Sequence, residues 1–129
     1  MQRKNFSSET LWESTIGYSR AVRIGDHVYI SGTTSTDKEG NILGKDNPYI
    51  QTIQIIKNIE TALQALGASL KDIIRTRIYL TDINNWEEVG KAHAEFFEEI
   101  RPACTLVEIS SLINPEILVE IEVDANILI

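Results

Sequence analysis

Cysteine is almost missing: Cys104 is the only one in 129 residues. A lone thiol cannot close an intramolecular disulfide, so nothing in the chain calls for an oxidising compartment. Positive charge is also short. Twelve Lys and Arg stand against 19 Asp and Glu, and the net charge of −7 repels nucleic-acid phosphates and anionic lipid surfaces alike. No apolar run approaches the roughly 18 residues of a membrane span, and Met1 to Glu9 is too polar for a secretion signal. The expectation is a soluble cytoplasmic protein with neither nucleic acid nor membrane as partner.

The familiar chemical signatures are missing too. There is no Gly-rich phosphate loop, Cys-x-x-Cys pair, His-Glu-x-x-His helix or Gly-x-Ser-x-Gly elbow. The two histidines, His27 and His93, have no ligand spacing, which argues against a dedicated metal site, and no cofactor is expected. Repeats, low-complexity tracts and linkers are lacking as well, so residues 1–129 are read as one domain, with 1–10 peripheral or poorly ordered.

The patterning that is present favours alternating strands and helices. Tyr18 to Ile24 and His27 to Ser31 read as a hairpin around Gly25-Asp26, with residues 11–16 as a candidate extension of the first strand. A two-residue turn pairs Ile24 with His27, Val22 with Tyr29 and Ala21 with Ile30. Both faces of the hairpin are then partly apolar, which points to cover on the second face, by another subunit for example.

Asn47 and Pro48 suit the start of a helix over 48–66, and Gly67 suits its end. Residues 73–80 alternate as a strand. In a second helix, Asn84 with Glu87 forms a candidate capping pair, and Trp86, Val89, His93 and Phe96 form the inward stripe. Arg101-Pro102 ends it. Strands over 104–109 and 117–125 follow, separated by a turn at Asn114-Pro115. The order is ββαβαββ: a single-domain α/β (α+β) fold whose mixed sheet ends in a hairpin and carries two helices on one face.

Several side chains have both a structural and a chemical reading. Glu120, Glu122 and Asp124 alternate with Val119, Ile121, Val123 and Ala125; a solvated face explains Glu122 and Asp124 better than Glu120, nearer the strand's start. Cys104 is a small buried hydrophobe unless a base such as His93 stands beside it. His93 itself lies on the apolar stripe, where a packed imidazole outweighs a general base. Arg75, Arg77 and Tyr79 share a strand face that is solvated or salt-bridged rather than an anion site.

Taken together, Gly17-Tyr18-Ser19-Arg20-Ala21-Val22, Tyr29-Ile30-Ser31-Gly32, the helix from Gln51 to Gly67 with the following Ala68-Ser69-Leu70-Lys71-Asp72, Phe96-Phe97, Arg101-Pro102-Ala103 and Val119-Glu120-Ile121-Glu122 resemble the Rid (YjgF) family over nearly the whole chain. The resemblance implies a chorismate-mutase-like fold and a homotrimer with small-molecule sites in clefts between subunits. It also implies hydrolysis of enamines and imines to 2-oxo acids and ammonia. Tyr18 and Ser31 match cleft positions, and Glu120 matches the glutamate that positions water.

Three positions depart from the family pattern. Cys104 stands where deaminases carry the arginine that grips the substrate carboxylate, and a neutral thiol supplies neither the charge nor the paired donors. Gly90 replaces a cleft asparagine, and His93 stands where tyrosine is common. The resemblance therefore implies a small-molecule-binding member with weak or absent 2-imino acid deamination. The alternatives are a deaminase of altered substrate with Arg20 as substitute anchor, or an endoribonuclease or translation inhibitor, which the acidic charge disfavours.

Overall fold

The structure is a computed structural model that describes residues 2–8 and 10–128. Its elements run β1 (Arg3–Phe6), α1 (Leu11–Ile16), β2 (Ala21–Ile24), β3 (His27–Thr33), α2 (Pro48–Ala65), β4 (Ile73–Leu80), α3 (Trp86–Phe97), β5 (Ala103–Glu108) and β6 (Val119–Asn126). The expected ββαβαββ series is present from β2 onward, preceded by one further strand and one short helix. The six strands form one mixed sheet in the order β1-β2-β3-β6-β4-β5.

Local chemistry explains most element boundaries. Gly25 takes φ 59°, and the hairpin pairs Ile24 with His27, Val22 with Tyr29 and Ala21 with Ile30, as the two-residue turn requires. Asn47 accepts from the Ile50 N–H while Pro48 fills the first helical position, and Gly67 follows α2 at φ 81°. From α2, Ile55, Ile56, Ile59 and Leu63 are fully buried against the sheet residues Val28, Ile30, Ile78, Val119, Ile121 and Val123. Each such side chain contributes about 1.5 to 3 kcal/mol by leaving water.

Four expectations are corrected. Residues 11–16 form a helix, not an extension of the first strand. Glu13 gathers hydrogen bonds from Ser7, Ser8 and Thr10, and Gly17 at φ 88° closes the turn, so local donors outweigh strand pairing. The last two strands do not form a hairpin. β6 lies between β3 and β4, antiparallel to both, while β5 returns through α3 to lie parallel to β4 at the sheet edge. The fully apolar inner face of β6 explains this, since a central place buries Val119, Ile121, Val123 and Ala125 together.

Asn84 does not cap α3 either. Asp82 accepts from the Asn84 N–H and starts a one-turn 3-10 helix, from which α3 continues without a side-chain cap. That lead-in rotates α3 so that Val89, Ala92 and Phe97 are buried, while Trp86 is 54% exposed.

α2 and α3 pack against one sheet face. The other carries Val22, Tyr29, Arg75, Arg77, Tyr79, Glu120, Glu122 and Asp124, a mixture of apolar and charged groups. Among the described residues, no helix is long and apolar enough to cross a membrane.

Candidate functional site

A β-bulge builds the first cluster. Ile30 pairs with Val123 and Thr33 with Ile121, so Ser31 and Gly32 together stand against a single residue of β6. The extra residue bends β3 and brings its backbone against the Glu120 side chain. A Cβ on Gly32 would lie 2.8 Å from Glu120 Oε2, so glycine is what leaves room for the carboxylate. Gly32 escaped notice as a site residue, although a glycine inside a strand pattern marks bulges and close approaches.

Tyr18, Arg20 and Ser31 join the same cluster. Ser31 Oγ donates to the Ser19 carbonyl at 2.7 Å and the Ser31 N–H to the Arg20 carbonyl at 3.0 Å, fixing the segment that enters β2. The Arg20 guanidinium lies 5.8 Å from the Tyr18 ring centroid, and its Nη2 donates to the Gly32 carbonyl. It thus turns toward Glu120. Burial raises the Glu120 pKa, the Arg20 charge opposes that rise, and Glu122 adds to it.

Glu122 and Asp124 are the face's structural carboxylates. Tyr79 donates to Glu122 Oε1, and Arg77 Nη1 lies 3.2 Å from Asp124 Oδ2 and 4.0 Å from Glu122 Oε2. The bond to Glu122, helped by burial, raises the Tyr79 pKa.

Gly90, His93 and Cys104 lie elsewhere. Cys104 pairs with Thr76 on the helix side of the sheet, and Thr76 Oγ1 is 3.0 Å from His93 Nε2. His93 also packs on Phe97 with ring centroids 4.5 Å apart, and burial lowers its pKa. Cys104 is exposed on the edge strand rather than buried, as is every residue of β5 except Leu106. Its thiol has no hydrogen bond to His93, whose Nε2 is engaged by Thr76. A Cβ on Gly90 would meet nothing within 4 Å. Beside this group runs an open groove of about 630 Å³ lined by Lys91, His93, Phe97, Glu98, Arg101 and Pro102.

Within one chain, then, Tyr18, Arg20, Ser31 and Glu120 come together on the open face, and Cys104 and His93 approach Thr76 on the other. Among the described residues, no group of three or more His, Cys, Asp or Glu side chains could hold a metal ion.

Comparison with known proteins identifies the scaffold. The family model described as Endoribonuclease L-PSP matches residues 9–127. The chain belongs to this family, the Rid (YjgF) family. An uncharacterized protein of Streptomyces coelicolor is 34% identical over 122 residues, covering 95% of this chain and 90% of the relative. A RutC family protein of Pyrococcus horikoshii is 36% identical over 105 residues, covering 81% and 82%. The crystal structure of a YjgF-family member from Mycobacterium tuberculosis superposes with a TM-score of 0.89 at 47% identity, covering 98% of this chain and all of that one. A Rid family protein of unknown function from Yersinia pestis gives 0.86 at 30% identity, with 98% and 100% covered. The Rid scaffold here is the expected chorismate-mutase-like fold.

Proposed function

We propose that this Rid protein is a cytoplasmic homotrimer that binds a small metabolite in clefts between subunits, with family-type 2-imino acid deamination weak or absent. The observation that carries the reading is the bulge-built cluster of Tyr18, Arg20, Ser31 and Glu120 on the open sheet face, combined with a neutral side chain at position 104. The two groups of family-matched residues lie on opposite faces of one sheet, so a shared cleft requires a second copy. Val22 and Tyr29 on the open face supply apolar surface for that contact. Light scattering should give three times the chain mass, and a stable monomer at micromolar concentration would refute the trimer.

Hydrolysis of an imine adds water at carbon, cleaves the C–N bond and releases ammonia. Glu120 is suited to take a proton from that water, because its carboxylate accepts no hydrogen bond among the described residues and burial raises its pKa, making it a stronger base, while Arg20 limits the rise. What the site lacks is a grip on a carboxylate, since Cys104 has no charge to offer a 2-imino acid. Ammonia release from an imine generated by an amino-acid oxidase should therefore be slow, and rapid release abolished by Glu120→Ala would overturn this reading.

One observation favours a second reading, a deaminase of altered substrate: Arg20 points into the cluster with only Nη2 engaged among the described residues. A broad imine and enamine screen tests it, and equal turnover by wild type and Glu120→Ala in every case would dismiss it. The ribonuclease activity named in the family description is not favoured here, because a net charge of −7 opposes RNA.

A further inference from the structure

The Arg20 and Glu120 side chains face each other without closing on each other. Arg20 tempers the Glu120 charge through space, yet no ion pair within 4.0 Å joins them. Glu120's oxygens accept no hydrogen bond among the described residues and are not sealed from solvent, since Arg20 Nε is the one buried side-chain polar atom without a partner there. Of the three Arg20 guanidinium nitrogens, only Nη2 is engaged among the described residues, by the Gly32 carbonyl. Nε is buried, so the cluster presents the unused Nη1 donors on one side and an unused acceptor pair on the other, with the Tyr18 ring alongside.

The charges sum to zero. Arg20 is positive and Glu120 negative; the next charges are Glu122, held by Tyr79 and Arg77, and Arg77 itself, shared between Glu122 and Asp124. None of these leaves a free cation beside Glu120. A carboxylate approaching Arg20 meets Glu120 as a like charge, and position 104 of any second copy contributes a cysteine and no cation. A neutral ligand with an acceptor beside an N–H satisfies both sides, the acceptor toward Arg20 and the N–H toward Glu120.

We infer that the ligand of this cleft is a neutral molecule carrying a hydrogen-bond acceptor next to an N–H donor, of the amide, ureide or neutral imine class, and not a carboxylate anion. The inference rests on the reading of the Glu120 cluster as a ligand cleft. It also accounts for how the cleft works without a cation at position 104: the ligand has no charge for one to meet.

Calorimetric titration of the full chain at neutral pH with two near-isosteric probes, 2-oxobutanamide and 2-oxobutanoate, tests it. The amide should bind about tenfold or more tighter than the acid, roughly one power of ten per 1.4 kcal/mol. Glu120→Gln removes the negative charge and should invert the order, with the acid gaining and the amide losing affinity. Tighter binding of the acid to wild type, or an unchanged ratio in Glu120→Gln, would overturn the inference while leaving the cleft in place. If neither probe binds at millimolar concentration, the cleft reading falls and the inference with it.

Discussion

Two ionisable side chains flank β4 from opposite sides. Glu120 lies across from Tyr79 on the open face, and His93 reaches Thr76 on the helix side. Burial acts on both by penalising charge, which raises the acid's pKa and lowers the base's. The difference lies in what opposes it. Among the described residues, Glu120 faces the Arg20 guanidinium and keeps unused acceptors, whereas His93 has only a neutral hydroxyl partner and an aromatic ring. The first arrangement holds a charge ready for a ligand or a water; the second holds a neutral imidazole in the packing.

The largest effect that would sharpen this contrast is on the open-face side. Glu120→Ala should remove about 10²- to 10⁴-fold of whatever hydrolytic turnover the protein has, with the fold intact by circular dichroism. A loss equally large in His93→Gln would break the comparison. Next comes Cys104→Arg, at an exposed position that tolerates the longer side chain. Restoring a charge-assisted anchor worth about 1.5 to 3 kcal/mol should raise kcat/KM for 2-imino acids roughly 10- to 100-fold, read by ammonia release.

Thr76→Val should act mainly through stability. It leaves a half-buried imidazole nitrogen without its partner and costs about 1 to 3 kcal/mol in chemical denaturation, with a smaller effect on Glu120-dependent turnover than Glu120→Ala. Gly32→Ala should do the reverse. The new Cβ displaces only the end of the Glu120 side chain, so the unfolding midpoint should hardly move while Glu120-dependent binding or turnover falls; unchanged function would show that the close approach does not position the carboxylate.

The smallest effect is a pH dependence. The folded His93 pKa lies below its ordinary value of 6.5, so the unfolded chain binds the proton more readily. His93 thus contributes stability that is fully present above pH 6.5 and is lost as pH falls through that value toward the folded pKa. Denaturation midpoints measured across this window should lose part of their slope in His93→Gln, and an unchanged slope would place the pH dependence elsewhere.

Local chemistry made much of this fold legible in the chain itself. The Gly25-Asp26 turn, the Asn47-Pro48 start of α2, the Gly67 stop and the alternation in β4 and β6 depend on neighbours a few residues away, where periodicity and turn chemistry carry the signal. Residues 11–16 escaped that reading because donors from Ser7, Ser8 and Thr10 converge on Glu13 only once the loop has folded back.

The site divides the same way. The residue types of Tyr18, Arg20, Ser31, Cys104 and Glu120, and the absence of a cation at position 104, were fixed by sequence alone. Where they stand was decided by tertiary structure. Placing β6 between β3 and β4 sets Glu120 beside the Ser31-Gly32 bulge, the bonds of Arg20 to Ser31 and Gly32 bring it to the same place, and the pairing of Cys104 with Thr76 puts the thiol on the other face. Those pairings join residues up to about a hundred positions apart, and no local pattern encodes them, because a strand's period of two specifies which residues share a face but not which strand lies beside it.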